Sequence, residues 1–424
     1  MGSRLLVYLD GRHCGEIRQS TKGNLSFHYD ESYRASPDAT PLSLSLPLVQ
    51  PDHPKRAVLP FLDGLLTDNE AARAAIARNH GVNPNNPFAI LAHVGADVAG
   101  ALQILPPDEV STDGSLPRGG SAPVTETQVA QLLDGVVAQF EGGRGPLREA
   151  GRYSLAGAQP KLALLRTPTG WAIPTGSTPT THILKPAAGG FNRLDVVEHL
   201  TMRVAALLGL TTATTELAQI GDHRVMVTTR YDRVQHRGRW RRLHQEDLGQ
   251  ALSVPPHKKY QHQDGGPGVA EVARLLRGLA RIEDRGPAAW AFFRGLMFNV
   301  VLHCTDAHIK NYSVLLDGPT VRLAPLYDLA TYAPYDDGAN QASSAMRIGQ
   351  HYRFSAIGEE DILQAARLLS VPPAQALGFV GHLRIGAVGA FETARDELAG
   401  ADPGAAAVAT ATLAAVSRLP GLRA

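Results

Sequence analysis

The sequence predicts an α+β fold with a β-rich N-terminal part, a mixed β/α part and a mainly helical C-terminal part. Residues 4–30 alternate apolar and polar side chains around an Asp-Gly turn, whereas apolar residues recur at helical spacing from about residue 268 onward. The length of 424 residues exceeds one ordinary domain. We therefore expect a small β-rich N-terminal subdomain (1–105), a connector with a helix (106–150), a β/α region (151–252) and a helical lobe (253–424), with a ligand cleft between the last two.

Composition excludes several classes of protein. With 44% hydrophobic and 19% charged residues, the chain can bury a core and is not disordered. Lysine plus arginine (41) balances aspartate plus glutamate (40), so no overall charge attracts nucleic acid or membrane. Cys14 and Cys304 are too few and too far apart for a disulfide framework or a structural zinc site. The absence of an apolar run of about 20 residues predicts no membrane span and, with the cysteines, a cytoplasmic protein.

The N-terminal elements follow from local patterns. RLLVYLDGRHCGEI predicts a strand, an Asp-Gly turn and a second strand, and NLSFHYD predicts a third strand. The alternating segment PLSLSLPL (41–48) predicts a further strand, and residues 69–80 predict a helix that ends before Gly81. Residues 106–124 are rich in Pro, Gly, Ser and Asp and predict a loop or boundary, followed by a helix with Thr125 as its N-cap.

After residue 151 the pattern predicts three strands, in RYSLAGAQPKLALLRT, WAIPTG and THILKP, and then a helix from Asp195 to Leu210. HRVMVTTRYDR predicts another strand. The basic run HRGRWRR (236–242) could contact nucleic acid, but we favour an exposed charged hairpin. Helices follow in VAEVARLLRGLARI, in Ala288 to His303 and near Ala405 to Val416.

Three polar residues are expected to converge beyond the long apolar helix. Asp306 follows the helix, Asn311 comes five residues later, and a predicted hairpin (YSVLL, Asp-Gly-Pro, VRLAPLYD) returns the chain to Asp328. Taken one at a time, each residue is explained as a cap, a turn residue or a strand end. As a set, two carboxylates and an amide oxygen are typical of a Mg²⁺ site shared with phosphates, with one aspartate accepting a proton.

This order of Asp, Asn, hairpin and Asp is the layout of catalytic base and metal ligands in protein kinases. Lys310 could neutralise phosphate charge or be an ordinary lysine, and the sequence favours neither. We interpret His303 as a structural hydrogen-bonding residue and Cys304 as packing, since no dedicated base pairs with the thiol.

A nucleotide site requires phosphate contacts as well. SLAGAQPK (154–161) joins two strands with small residues whose N–H groups could approach phosphate, although alone it is better explained as a hairpin turn. Lys185 could bind phosphate or face solvent at a strand end. Glu198 could pair with Lys185, but we favour a capping box with Asp195 as N-cap. Backbone groups of Thr229, Arg230 and Tyr231 could contact the adenine edge.

Together these segments resemble the HipA family of serine/threonine kinase toxins. The resemblance is carried, in the family's order, by SLAGAQPKLALL, THILKP, TRYDR, RLHQEDLGQAL, KKYQHQDGGP, CTDAHIKN and APLYD, and by LLVYLDGRHCGEI with PLSLSLPL in the N-terminal subdomain. It covers nearly the whole chain. The HRD, DFG and full glycine-loop sequences of general protein kinases are missing, so the rules for their activation segments are not transferred.

The resemblance implies a two-lobed protein-kinase-like fold that uses ATP and Mg²⁺, with Asp306 as catalytic base and Asn311 and Asp328 as metal ligands. It implies nucleotide contacts at Ala156, Gly157, Ala158, Gln159, Pro160, Lys161, Lys185, Thr229, Arg230, Tyr231, His308, Ile309, Lys310, Asn311, Tyr327 and Asp328. It also implies that Ser154 is a site of autophosphorylation and that its modification inactivates the enzyme by disordering the phosphate loop.

The resemblance further implies a HipB-like helix-turn-helix antitoxin that contacts DNA and represses the shared operon, with this chain as corepressor. A target class of such kinases is glutamyl-tRNA synthetase, whose phosphorylation halts translation. Two other functions stay open. A small-molecule phosphotransferase would share the Asp306, Asn311 and Asp328 site, whereas a non-catalytic partner of a DNA-binding repressor would not require it together with Lys185.

Overall fold

The computed structural model describes residues 2–141, 156–188, 191–338, 341–399 and 402–422. Its strands are β1 (Ser3–Leu9), β2 (Arg12–Gln19), β3 (Leu25–Tyr29), β4 (Asp52–Pro54), β5 (Leu102–Leu105), β6 (Gly120–Val124), β7 (Leu162–Thr167), β8 (Gly170–Thr175), β9 (His182–Pro186), β10 (Thr215–Ile220), β11 (His223–Thr229), β12 (Arg233–His236), β13 (Arg239–Arg242), β14 (His244–Asp247), β15 (Ser313–Asp317), β16 (Thr320–Leu323), β17 (Ser343–Ile348) and β18 (His351–Arg353).

The helices are α1 (Glu31–Arg34), α2 (Lys55–Gly64), α3 (Glu70–Asn79), α4 (Pro87–Val94), α5 (Glu126–Phe140), α6 (Leu194–Leu207), α7 (Leu248–Ala251), α8 (Gln261–Asp264), α9 (Val269–Arg277), α10 (Ile282–Val301), α11 (Glu359–Leu368), α12 (Pro373–Ala399) and α13 (Pro403–Val416). The chain divides into two compact units. The first consists of residues 1–188, 218–257 and 315–320, and the second of residues 189–217, 258–314 and 321–424.

The first unit contains a five-stranded sheet, most of a six-stranded sheet and the two-stranded β12–β13 hairpin. The five-stranded sheet has the order β4-β3-β2-β1-β5, and its apolar face packs with α2 and α4 around side chains such as Phe27, Phe61 and Leu91. The β1–β2 hairpin turns through Asp10 and Gly11, both at positive φ (47° and 80°), as the Asp-Gly pair predicts.

The second sheet of this unit has the order β10-β11-β9-β7-β8-β6. Helix α5 packs Val129 and Leu133 against Leu162 and Leu184 of its strands. The predicted N-cap of α5 is confirmed, because Thr125 and Gln128 form a capping box. The predicted exposed hairpin is also confirmed as β12 and β13, which turn at Arg237 and Gly238.

The second unit is mainly helical, and α12 packs against α6, α10, α11 and α13. The core of α10 contains Phe292, Phe293 and Phe298, all fully buried. These apolar side chains bury one face of α10 among its neighbours. The two strands β17 and β18 pair with each other beside α8.

Four local predictions are wrong. Residues 41–48 form no strand, and only an isolated bridge joins Ser43 and Leu46. The predicted loop 106–124 contains β6, which pairs with β8. Asp195 is not the N-cap of α6, because Arg193 occupies that position with a φ of 54°, and Asp195 instead accepts a hydrogen bond of 3.1 Å from the Arg193 guanidinium. Helix α10 spans Ile282–Val301 rather than 288–303.

Candidate active site

The loop that follows α10 exposes one carboxylate. The backbone leaves the helix through His303, which has a φ of 52°, while the Cys304 N–H still donates to the Asn299 carbonyl at 2.8 Å. Residues 301–310 are buried except for half-buried Thr305 and exposed Asp306. The apolar neighbours therefore anchor the loop in the core, and Asp306 is the residue that it presents to solvent.

Asn311 is bonded directly to the backbone of Asp306. Its side-chain amide nitrogen donates to the Asp306 carbonyl oxygen at 2.7 Å, and the His308 N–H donates to the same oxygen at 2.8 Å. This contact uses the amide N–H of Asn311, so its amide oxygen is the group that a cation can bind. The loop thus fixes the relative placement of the two residues that the sequence analysis paired.

The hairpin of β15 and β16 brings the chain back as predicted. The Ala324 N–H donates to the Ser313 carbonyl at 2.8 Å. Beyond it, the Tyr327 hydroxyl donates to the Lys310 carbonyl at 2.8 Å and lies 2.6 Å from the Ser313 hydroxyl. Tyr327 therefore ties the returning strand to the loop that carries Asn311, one residue before Asp328.

Asp328 has a φ of 53°, a left-handed conformation that is uncommon for a residue other than glycine. Its segment lies beside the start of the loop that carries Asp306. The Tyr332 N–H donates to the His303 carbonyl at 3.0 Å, and the Thr331 hydroxyl donates to the Leu302 carbonyl at 2.6 Å. A strained backbone held in place by neighbouring hydrogen bonds is a frequent feature of functional sites.

A cavity of about 930 Å³ opens in the second unit beside this loop. Its lining includes Asp306, Thr305, Tyr260, Asp336 and both strands of the β17–β18 hairpin. The Tyr260 hydroxyl donates a hydrogen bond to Oδ1 of Asp306. Nothing in the local sequence pattern predicts this role for Tyr260, although it lies in KKYQHQDGGP, one of the segments that resemble the HipA family.

His303 and Cys304 are buried and structural, as the sequence predicts, although the contact of the His303 ring is stacking and its expected side-chain hydrogen bond stays a prediction. Burial lowers the pKa of His303 to about 4, and its ring stacks on Phe354 with 4.5 Å between centroids. Burial raises the pKa of the Cys304 thiol well above its usual value. The imidazole is neutral and the thiol protonated near neutral pH, so neither is suited to nucleophilic or acid–base chemistry.

The predicted phosphate segment belongs to the first unit, and Ser154 lies outside the described residues. Gly157 has a φ of 108°, and the Lys161 ammonium donates to the Ala156 carbonyl at 2.6 Å. The Gly157 carbonyl accepts from the Thr67 hydroxyl at 3.0 Å and from the Asp68 N–H at 3.1 Å. The turn is therefore attached to the N-terminal subdomain, a contact that the sequence did not reveal.

Lys185 and Thr229 are predicted nucleotide contacts on the paired strands β9 and β11 of the same unit, and Arg230 and Tyr231 directly follow β11. Lys185 is buried on β9 opposite Met226 of β11. At the end of β11, the Arg230 N–H donates to the Thr181 carbonyl at 2.9 Å, so this donor is already occupied. Tyr231 forms a hydroxyl contact with Gln245.

The Arg230 side chain belongs to a buried cluster of ions. Its guanidinium donates to Asp232 at 2.9 Å and to the Thr180 hydroxyl at 2.9 Å, and it lies 3.6 Å from Asp97. Asp97 also pairs with Arg233 at 2.9 Å and with Arg242 at 3.2 Å. These arginines hold the pKa of Asp97 far below its usual range despite burial, so the cluster is ionised and structural.

In the second unit, Glu198 is buried on α6. The predicted nucleotide contacts of the loop after α10 include three further buried residues, His308, Ile309 and Lys310. Ile309 is completely buried, so its side chain belongs to the core of the loop. Any contact from this residue to a nucleotide therefore has to come from its backbone.

Within the described residues, no three His, Cys, Asp or Glu side chains form a group that could hold a metal ion by themselves. The predicted site differs from such a group, because it combines aspartate with an asparagine oxygen and relies on substrate phosphates for further ligands.

No helix in the described ranges is long and apolar enough to cross a membrane.

The chain matches two family models, described as the HipA-like C-terminal domain over residues 153–388 and the HipA N-terminal domain over residues 5–105. It is 38% identical over 353 residues to the protein Y4mE of Sinorhizobium fredii, which covers 82% of this chain and 81% of that protein. It is 29% identical over 353 residues to the serine/threonine-protein kinase toxin HipA of Shewanella oneidensis, covering 81% of this chain and 78% of the toxin.

The fold is similar to that of a solved structure, the Shewanella oneidensis MR-1 complex of HipA, HipB and operator DNA. The TM-score is 0.81 at 24% sequence identity, and the match covers 98% of this chain and 97% of that one. This similarity confirms the predicted α+β, kinase-like fold. The chain therefore belongs to the HipA family of serine/threonine-protein kinase toxins, which use ATP as phosphate donor.

Proposed function

We propose that the chain transfers the γ-phosphate of ATP to a serine or threonine hydroxyl of a protein, with Asp306 as the proton acceptor. The observation that carries this assignment is the loop after α10, which presents the exposed carboxylate of Asp306 with the Asn311 amide bonded to its backbone. In the transfer, the acceptor oxygen forms a bond to the γ-phosphorus while the bond from that phosphorus to the bridging oxygen of ADP breaks. The hydroxyl proton passes to Asp306.

The amide oxygen of Asn311 and the carboxylate of Asp328 are the oxygen donors that Mg²⁺ prefers. Bound Mg²⁺ would neutralise the negative charge of the phosphates during transfer. The hydrogen bonds of Tyr327 and Thr331 support this assignment, because they hold the Asp328 segment beside the loop. In the first unit, the turn at 156–161, Lys185 and the Thr229–Tyr231 backbone are the proposed contacts to the nucleotide.

We propose Ser154 as a self-phosphorylation site that switches the enzyme off.

For the protein target, glutamyl-tRNA synthetase is the class that the family resemblance implies. We propose a HipB-like helix-turn-helix protein as antitoxin, with DNA contacted mainly through it. The structural relative in the HipA, HipB and operator DNA complex supports this partner. Co-purification of this chain with a co-expressed HipB-like helix-turn-helix protein, followed by operator binding with and without this chain, would test it.

The central test is phosphate incorporation by purified protein incubated with ATP and Mg²⁺. Asp306→Asn keeps the size of the side chain but removes the proton acceptor, and we expect it to abolish incorporation. Asp317→Asn, at the exposed last residue of β15, is the matched control and should remain active. Peptide mass analysis should place phosphate on Ser154, and a labelled lysate should reveal the protein target. Equal activity in the parent and in Asp306→Asn would overturn the assignment of Asp306.

A further inference from the structure

Tyr260 is in contact with the proposed proton acceptor. Its phenolic O–H donates to Oδ1 of Asp306, and its ring meets the His308 ring edge-on, with 4.9 Å between centroids and 74° between planes. Both Tyr260 and Asp306 line the cavity of the second unit. The tyrosine therefore occupies one carboxylate oxygen at the cavity wall and packs against the loop that carries the carboxylate.

The segment around Tyr260 holds the tyrosine in this position. The Tyr260 N–H donates to the Asp264 carboxylate at 3.3 Å, and its carbonyl accepts from the N–H groups of Asp264 at 3.2 Å and Gly266 at 3.1 Å. The neighbouring Gln261 accepts from the Arg347 N–H of β17 at 2.7 Å. These bonds close a compact turn and attach it to β17, so the hydroxyl of Tyr260 has a defined place before any acceptor arrives.

The short side chain of an aspartate rotates readily about its last torsion, because that torsion has broad minima. A hydrogen bond to Oδ1 selects one orientation and directs Oδ2 away from the tyrosine. Proton transfer needs the accepting oxygen within hydrogen-bond reach of the acceptor hydroxyl. If the carboxylate is already fixed, less rotational freedom has to be lost when the reacting groups come together, and the entropic cost of the reaction is smaller.

We propose that Tyr260 is a positioning residue that orients the Asp306 carboxylate so that Oδ2 accepts the proton of the acceptor hydroxyl. This inference rests on the proposed function, because it assigns Tyr260 a role through Asp306. It differs from a role in folding, since a structural tyrosine would affect stability and nucleotide affinity rather than the rate of the chemical step. It differs also from a blocking role, in which removal of the hydroxyl would accelerate the reaction.

The test compares the parent, Tyr260→Phe and Tyr33→Phe. Tyr33 is a matched control in the first unit, where its hydroxyl donates to the Thr40 carbonyl at 2.8 Å. The rate of phosphate incorporation is measured over a range of ATP concentrations under single-turnover conditions, together with the melting temperature. We expect Tyr260→Phe to lower the maximal rate about ten-fold, with the half-saturating ATP concentration and melting temperature unchanged. Tyr33→Phe should keep the parent's maximal rate.

The outcomes separate this inference from the proposed function. An active parent with an equally active or faster Tyr260→Phe variant overturns the positioning role alone. A slower variant whose half-saturating ATP concentration rises and whose melting temperature falls shows a structural role and also overturns it. A parent that transfers no phosphate with ATP and Mg²⁺ overturns the proposed function and this inference together.

Discussion

The Thr67 hydroxyl donates a hydrogen bond of 3.0 Å to the Gly157 carbonyl and joins the N-terminal subdomain to the proposed phosphate turn. The two residues also form a parallel bridge, and the Asp68 N–H donates to the same carbonyl at 3.1 Å. Gly157 has a φ of 108°, and a Cβ at this position would lie 2.5 Å from the Lys161 ammonium. A glycine is thus required here, and Thr67 helps to hold the turn in this conformation.

Thr67→Val removes this hydrogen bond while keeping the shape of the side chain. If the turn binds nucleotide phosphates, we expect a several-fold weaker affinity for ATP, since one neutral hydrogen bond contributes about 1 kcal/mol. Equilibrium ATP titration measures this directly. Thr169→Val, in the exposed turn between β7 and β8, is the control and should bind as the parent does. Unchanged affinity in Thr67→Val would contradict a role of this contact in nucleotide binding.

Asp328→Asn should raise the Mg²⁺ concentration required for half-maximal phosphate transfer by about ten-fold or more. The substitution removes a negative charge from the proposed cation site, and Mg²⁺ depends on carboxylate ligands. The measurement is initial rate against Mg²⁺ at saturating ATP. Asp317→Asn should follow the parent's curve, because this aspartate is exposed at the end of β15, at the far end of the same hairpin. If the two variants give the same curve, Asp328 is not a metal ligand.

The sequence predicted the parts of the fold that are determined locally. The Asp10-Gly11 turn, the Thr125 capping box and the hairpin of β15 and β16 each depend on residues within a short stretch of chain. The same is true of the Asp306 loop, because its five-residue spacing to Asn311 allows the side chain of one to reach the backbone of the other. For such features, local residue pattern and turn chemistry are sufficient.

Residues 41–48 show where local reasoning fails. Their alternation predicts a strand, but the Leu42 N–H donates to the Tyr29 hydroxyl at 2.7 Å, and that hydroxyl donates to the Leu46 carbonyl at 2.5 Å. A buried tyrosine therefore takes the backbone groups that a strand would pair. The Tyr260 contact with Asp306 was missed for the same reason, since the two residues are 46 positions apart. A pattern along the chain carries no information about such partners.

Glu246 should make stability depend on pH. It is buried with Oε2 accepting from the Ser43 hydroxyl at 2.5 Å and Oε1 accepting from the Leu44 N–H at 2.7 Å. Burial raises the pKa of Glu246 from 4.5 to about 8. Because the folded state holds the proton more tightly, this stabilisation is complete below pH 4.5 and is lost as pH rises through about 8.

Glu246→Gln cannot ionise, so we expect its free energy of unfolding to fall less than the parent's as pH rises from 4.5 to about 8, the range in which the folded parent keeps a proton that the unfolded chain has lost. Denaturant titrations of both proteins at several pH values measure this difference. The advantage of the variant should therefore grow with pH. Parallel pH profiles for parent and variant would show that Glu246 does not titrate in this range.

Asp97→Asn should destabilise the first unit by roughly 3–5 kcal/mol, because it leaves Arg230, Arg233 and Arg242 buried with Asp232 as the remaining carboxylate of the cluster. The asparagine keeps the size of the side chain, and its oxygen can still accept hydrogen bonds from Thr180. The loss therefore reports on the removed charge and on the hydrogen bonds that Oδ1 accepts from Arg233 and Arg242, rather than on shape. Denaturant unfolding measures it. Glu397→Gln is the contrasting control, since its pair with Arg203 is exposed and should contribute less than about 1 kcal/mol. If both variants lost a similar amount of stability, the buried Asp97 carboxylate would contribute no more than the exposed Glu397 carboxylate. That result would contradict this prediction.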